Sequence, residues 1–284
     1  AFTVGALDCL SYKIVASHTD SPALKLKENA LVKGPVYATM NVETYGGGLW
    51  YSFLDRPLKI AGRVIVEEDG KLVEKTVVSP FAVTIPSVAI HQNRNANDGF
   101  SVNAQVDLAP LLSLNDGVEN MQTLLSDMTG EGIISYDLFL VNADMPYSFG
   151  LNDEFLASPR IDNLSSVYAS LEGLLQAKTS SGISLIACLD NEEVGSSTKQ
   201  GADSTFLEDV LERIGEGFYL GKGAMRRKLA ESFMISADNA HAMHPNHPEK
   251  CDPTNRPVLN GGIVIKYNAN QRYTTDAVSA ALFK

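Results

Sequence analysis

Cysteine is scarce in this sequence. The chain holds three, Cys9, Cys188 and Cys251, with no C-x-x-C pair. An odd count without paired spacing argues against a disulfide framework and fits a reducing compartment, so a cytoplasmic location is expected. Cys188 lies in the run Ile183-Ser184-Leu185-Ile186-Ala187-Cys188-Leu189 and is expected to be a small buried hydrophobe. Long apolar runs are also missing. None approaches the ~20 residues that a membrane-spanning helix requires, and no basic segment followed by an apolar stretch opens the chain as a secretory signal would. Positive charge is in deficit, with 23 Lys and Arg against 34 Asp and Glu and a net charge of −11. Such a surface repels polyanions, so neither nucleic acid nor anionic membrane is an expected partner.

What is present is a chain of 284 residues, 44% hydrophobic, long enough to bury one large core or two smaller ones. Its texture changes along its length. Residues 11–17 form a strand-like run that stops at His18-Thr19-Asp20-Ser21-Pro22. Residues 24–145 are rich in alternating β-branched patterns, with Asp69-Gly70 between two of them as a hairpin signal. Within this β-rich stretch, 115–132 reads as a short helix or loop, and Gly46-Gly47-Gly48 as a turn or a close backbone approach. From about residue 146 helices and strands alternate. A helix follows Pro159, strands are predicted at 183–189, 233–237 and 263–267, and a helix over 206–214. The expectation is an α/β fold: an α/β domain of residues 1–23 and 146–284, interrupted by a mostly β domain of residues 24–145.

The chemistry-bearing residues sit at element ends. His18 and Asp20 follow the first strand, Glu192 and Glu193 the strand at 183–189, and Asp238 the strand at 233–237. Asp162 opens the helix after Pro159. In open α/β sheets, sites form beyond the carboxyl ends of strands. Singly, Asp162 reads as a helix-start acid and Glu192-Glu193 as a solvated pair. Together, one histidine and several carboxylates suit a pair of divalent ions such as zinc, manganese or cobalt. Adjacent Glu192 and Glu193 suit a division between a metal ligand and a proton acceptor. The tract from His241 to His247 carries three histidines, but Pro245 and Pro248 break any regular ligand-bearing helix there.

The segments SHTDSP (Ser17–Pro22), SPRIDNL (Ser158–Leu164), DNEEVGS (Asp190–Ser196), SADNAHAMHPN (Ser236–Asn246) and IKYNANQRY (Ile265–Tyr273) resemble the aspartyl aminopeptidase family of dinuclear zinc metallopeptidases. TYGGGLW (Thr44–Trp50) and IPSVAIH (Ile85–His91) resemble it too, so the likeness spans nearly the whole chain. The resemblance implies an α/β metallopeptidase domain with an inserted β dimerisation domain, and release of N-terminal Asp or Glu from peptides. It implies roles as well. His18, Asp162, Glu193 and Asp238 match metal ligands, with Asp162 bridging, and Glu192 matches the general base. His91, His241, Lys266 and Tyr273 match substrate contacts, and Asp20 the acid that orients His18. It further implies a homo-oligomeric dodecamer in which the β domain offers His91 to a neighbouring site.

The family places a last metal-binding histidine at a position that none of His18, His91, His241, His244 and His247 occupies. Ala1 is not an initiator Met and residues 279–284 read as mid-helix, so a stretch cut from a longer chain is expected. Two other readings use the same residues. One is a different dinuclear hydrolase, a deacylase or neutral-residue aminopeptidase. The other is a non-catalytic shell subunit.

Overall fold

The computed structural model describes residues 1–6, 11–130 and 132–284; Cys9 lies outside the described residues. In chain order the strands and helices begin with β1 (Phe2–Val4), β2 (Tyr12–His18), β3 (Ala23–Lys33), β4 (Tyr37–Tyr45), β5 (Leu58–Glu68), β6 (Lys71–Val78) and β7 (Leu111–Leu114). Next come α1 (Met121–Thr129), β8 (Ile133–Asn142), β9 (Tyr147–Phe149), β10 (Phe155–Ala157) and α2 (Ile161–Gln176). The chain continues through β11 (Ile183–Leu189), α3 (Phe206–Gly217), α4 (Lys222–Ala230), β12 (Phe233–Ser236) and α5 (Ala277–Phe283).

Two larger sheets organise these elements, and β9 and β10 pair antiparallel as a separate two-stranded ribbon. The first has the order β1-β11-β2-β12, with β11, β2 and β12 parallel and β1 antiparallel at one edge. On one face of it, Tyr12, Ile14, Ala16, Ile183, Leu185, Ala187 and Leu189 pack with Leu211 of α3 and Met225 of α4. The helix α2 packs against β2 and β11 but contributes nothing to that cluster, which puts it on the opposite face. Covering a parallel sheet on both faces is what its hydrophobic strands require.

The second sheet is antiparallel, in the order β6-β5-β8-β3-β4-β7. Leu24, Met40, Ile60, Val64, Leu138 and Leu140, each fully buried, form the centre of its core, against which α1 contributes Leu125. The hairpin at Asp69-Gly70 forms as expected, with Glu68 opposite Lys71 and both turn residues left-handed at φ 51° and 73°.

Two expectations fail. Cys188 is exposed, because strand alternation turns it away from the face that buries Ala187 and Leu189 on either side of it. Residues 263–267 form no strand: among the described residues no neighbouring strand takes their backbone hydrogen bonds, and Ile263 is left exposed. An apolar run cannot supply its own ladder partner.

Candidate metal centre

The parallel strands β11 and β2 end level with one another, and β12 stops two residues short of them. In the ladder Leu189 lies opposite His18, and Ser236 opposite Ala16. The residues just past these ends, with the start of α2, therefore meet. His18 is buried, and its Nε2 lies 3.4 Å from Asp162 Oδ1, 3.5 Å from Asp238 Oδ1 and 4.0 Å from Glu192 Oε2. Two sets of donor atoms each fit within 4.8 Å: His18 with Asp162 and Asp238, and His18 with Glu192 and Glu193.

The backbone around these groups is shaped locally. Asp162 is in the first turn of α2 yet holds non-helical φ −80° and ψ 108°, and its peptide to Asn163 is cis. Ser21 Oγ donates to the Asp162 carbonyl at 2.8 Å. The buried Asn163 donates through Nδ2 to the carbonyl of Ala237, at 2.9 Å, and so ties the α2 start to the residue before Asp238. After β11, Asn191 turns left-handed at φ 59° and a short turn over Glu192–Val194 follows.

Asp20 ties this turn to His18. Its Oδ1 lies 3.3 Å from His18 Nδ1 and accepts from the Glu192 backbone N–H at 3.1 Å; its Oδ2 accepts from the Glu193 N–H at 3.1 Å. The Asp20 carbonyl is 3.1 Å from His18 Nδ1 as well. With the Asp20 carbonyl and carboxylate both held against Nδ1, the other ring nitrogen, Nε2, is the one that faces the acids.

The acids crowd one another. Burial raises the Glu193 carboxyl, and Glu192 and Asp162 add to it, pushing it up to about 7. Asp162 is raised by burial and then by Asp238. Burial acts to lower the His18 pKa, but Glu192, the Asp20 carbonyl and the Asp20 and Asp162 carboxylates outweigh it and raise it. Burial acts to raise Asp238, and Lys266 overrides it: its Nζ lies 2.7 Å from Asp238 Oδ2, and the Asp238 carboxyl is lowered. One imidazole among carboxylates that resist ionising together is a donor set that a divalent cation fits, since the cation compensates the like charges.

The expected substrate contacts are divided. Lys266 reaches the cluster, donating also to the Asn239 carbonyl at 2.6 Å and lying over the Tyr273 ring at 5.3 Å. His91 and His241 are both exposed, and among the described residues no hydrogen bond or ion pair joins them to His18 or its acids. His244 and His247 face each other in a turn, with ring centroids 5.1 Å apart. A hollow of about 300 Å³ lies elsewhere, lined by residues including Arg56, Asp144 and Tyr147. Its lining lacks the convergence of acids on an imidazole, so the chemistry selects the open cluster instead.

Sequence reasoning missed Tyr45, Asn163 and Asn191. Tyr45 Oη donates to Asp20 Oδ2 at 2.8 Å and accepts from Asn191 Nδ2 at 2.7 Å. Burial, then the neighbouring Asp20, pushes this phenol well above its ordinary pKa, although the Asn191 hydrogen bond opposes that rise. Its position inside TYGGGLW was the available signal. The glycine reading held: a Cβ on Gly46 would lie 2.9 Å from Glu193 Cβ.

Known proteins resemble this arrangement along the whole chain. A family profile described as "Aminopeptidase I zinc metalloprotease (M18)" matches residues 1–284. The "Probable M18 family aminopeptidase 2" of Clostridium acetobutylicum is 44% identical over 298 residues, covering 100% of this chain and 69% of that protein. The "Aspartyl aminopeptidase 1" of Schizosaccharomyces pombe is 37% identical, covering 96% of this chain and 64% of that protein. The chain thus spans about two thirds of the length of the curated relatives it matches. Among solved structures, that of the Ape4 and Nbr1 complex superposes with a TM-score of 0.92 at 36% identity, covering 99% of this chain and 60% of that one. The S. cerevisiae mApe1 dodecamer gives 0.82 at 26% identity, covering 99% and 67%. The chain belongs to the M18 family of aminopeptidases, described as zinc metalloproteases.

Proposed function

We propose that the full-length protein is a metal-dependent aminopeptidase that removes acidic N-terminal residues from peptides with the help of two divalent ions, zinc in the first place. The observation that carries this is the meeting of His18, Asp162, Glu192, Glu193 and Asp238 beyond the carboxyl ends of three parallel strands. Family membership supports the reaction class, and the fission yeast relative's name supports the acidic preference. Manganese or cobalt would suit the same donors.

In this reading His18, Asp162 and Asp238 would hold metal on one side of the cluster and Glu193 on the other, with Asp162 the carboxylate that both sides would share. Bound ions of this kind polarise the scissile carbonyl and acidify water. Glu192 accepts the proton of the attacking water at its carboxylate and delivers it to the leaving amine nitrogen. More than half of its side chain is exposed, which leaves it open to a peptide. Asp20 holds His18 Nδ1–H and both backbone N–H groups of the Glu192–Glu193 turn, so it fixes ligand and base together. Lys266 pairs with an acidic first side chain of the substrate, exchanging part of its contact with Asp238. Tyr273 flanks Lys266, His241 contacts substrate, and His91 reaches the site of a neighbouring subunit.

The same reading divides the chain into a catalytic unit of residues 1–23 and 146–284 and a dimerisation unit of 24–145, which the two separate sheets support. A dodecamer is the assembly proposed, since a solved relative is described as one. Among the described residues no helix is long and apolar enough to cross a membrane; a cytoplasmic location is proposed from the cysteine usage.

The test uses chelator-stripped full-length protein, with and without zinc, on chromogenic Asp, Glu, Leu and N-acylated amides. Zinc-dependent cleavage with Asp and Glu ahead of Leu is expected. Leu ahead of both would remove the acidic preference, and cleavage of the acylated amide alone would make the protein a deacylase. No zinc-dependent cleavage of any of them would leave a shell subunit.

A further inference from the structure

The six-stranded sheet does more than stand beside the metal centre. Tyr45, the last residue of β4, sends its hydroxyl between two chain segments of the other sheet. One is Asp20, which accepts from it at 2.8 Å; the other is Asn191, whose Nδ2 donates to it at 2.7 Å. Asn191 is fixed from its other side as well, its Oδ1 accepting from Thr198 Oγ1 at 2.7 Å. The Tyr45 ring is held within its own sheet, edge-on to Phe139 of β8 at 5.4 Å and 79°. Lys25 Nζ lies over the far partner, Phe139, at 5.7 Å. The hydroxyl is therefore a fixed point supplied by one sheet to a loop of the other.

Its reach is set by what Asp20 does. The oxygen that accepts from Tyr45, Oδ2, also accepts from the Glu193 N–H, and the second oxygen faces His18 Nδ1 and the Glu192 N–H. A carboxylate with a side chain only 7% exposed has few other donors available to it. Without the Tyr45 hydroxyl, Oδ2 keeps a single donor, and Asn191 loses the acceptor that pins the start of the turn. Rotation of the Asp20 carboxylate would then carry the imidazole and the turn backbone with it.

We propose that Tyr45 is a positioning residue of the metal centre, acting through Asp20 and Asn191 to set His18, Glu192 and Glu193, so that the six-stranded sheet takes part in catalysis. This rests on the aminopeptidase reading above. Partners in this outer layer tune metal affinity or activity by about 10- to 100-fold.

The experiment compares full-length wild type, Tyr45→Phe, Asp20→Asn and the double variant. Zinc affinity is measured by competition with a chelating dye, and kcat and KM on a chromogenic Asp amide. Tyr45→Phe keeps the ring and its Phe139 contact. It is expected to weaken zinc binding and lower kcat, each by about 10-fold, with KM within about twofold of wild type. In the Asp20→Asn background the same change is expected to add less than about twofold, because the relay is already cut. Wild-type zinc affinity and kcat in Tyr45→Phe would overturn the proposal. So would a full, multiplicative effect in the Asp20→Asn background, or a rise in KM alone, which would make Tyr45 a substrate contact. A wild-type protein that neither binds zinc nor cleaves the amide would instead overturn the aminopeptidase reading and this proposal with it.

Discussion

Replacing Gly46 by alanine perturbs the centre from behind. Gly46 has φ +76°, where an L side chain costs about 1–2 kcal/mol. The new Cβ would also meet Glu193 Cβ at 2.9 Å, with the Glu193 carbonyl and Pro22 Cα each at 3.4 Å closing the sides. Carbon atoms settle at about 3.5–4.0 Å, so Glu193 must retreat by roughly 0.6 Å or more. Metal sites tolerate about 0.2 Å in ligand distance. The expected loss in zinc affinity is therefore about 10-fold or more, on top of the backbone term. Gly70 supplies the control: it has φ +73° and nothing within 4 Å of its would-be Cβ. Both variants carry the backbone cost, and Gly46→Ala, with the added clash, should lose at least as much stability as Gly70→Ala in urea denaturation of chelated full-length protein. Only Gly46→Ala should bind zinc more weakly in a dye-competition titration. Equal zinc affinity in the two variants would refute the claimed contact between the β-rich sheet and Glu193.

Other perturbations separate fold from site. Leu140→Ala empties a fully buried position facing Ile60 and Leu24; a loss of about 2–5 kcal/mol is expected by denaturant unfolding, with bound zinc unchanged in the folded protein. Asp137 is held below its ordinary 3.8 by the Lys25 hydrogen bond and by Arg63, with burial opposing. A lowered folded pKa gives stability that is complete above 3.8 and lost as pH falls through the folded value. The stability gap between wild type and Asp137→Asn should accordingly shrink on acidification below about pH 4, and shrink at every pH in high salt, as chemical denaturation would record. Lys266→Met removes the cation proposed to meet an acidic first residue. The kcat/KM ratio of Asp to Leu amides should fall about tenfold or more, the worth of a charge-assisted hydrogen bond.

Much of this was legible in the sequence where the signal is local. The strand Ile183–Leu189 and the turn at Asp69-Gly70 formed as read, because alternation and turn chemistry are properties of a few neighbouring residues. The cluster was legible because parallel strands bring their carboxyl ends to one edge of the sheet, so polar residues just past several strand ends converge. Cys188 was misread because a continuous apolar run hides which face each residue takes. Residues 263–267 were misread because a strand depends on a partner elsewhere in the chain. Tyr45 stayed hidden because its hydrogen bonds form only once residues 20, 45 and 191 meet. Lys266 was expected to face substrate, and its hold on Asp238 emerges only in three dimensions.

Two things are proposed of the site: the cluster around His18 binds metal, and Glu192 moves the proton. Zinc titration into chelator-stripped full-length wild type and Glu192→Gln, following bound zinc and Asp-amide hydrolysis together, tests both halves. Hydrolysis by wild type is expected to rise with bound zinc. The Glu192→Gln protein is expected to bind the same amount of zinc but to turn over about 10²- to 10⁴-fold more slowly. Undiminished hydrolysis by stripped wild type would refute the metal role, and wild-type turnover by Glu192→Gln would refute the proton role.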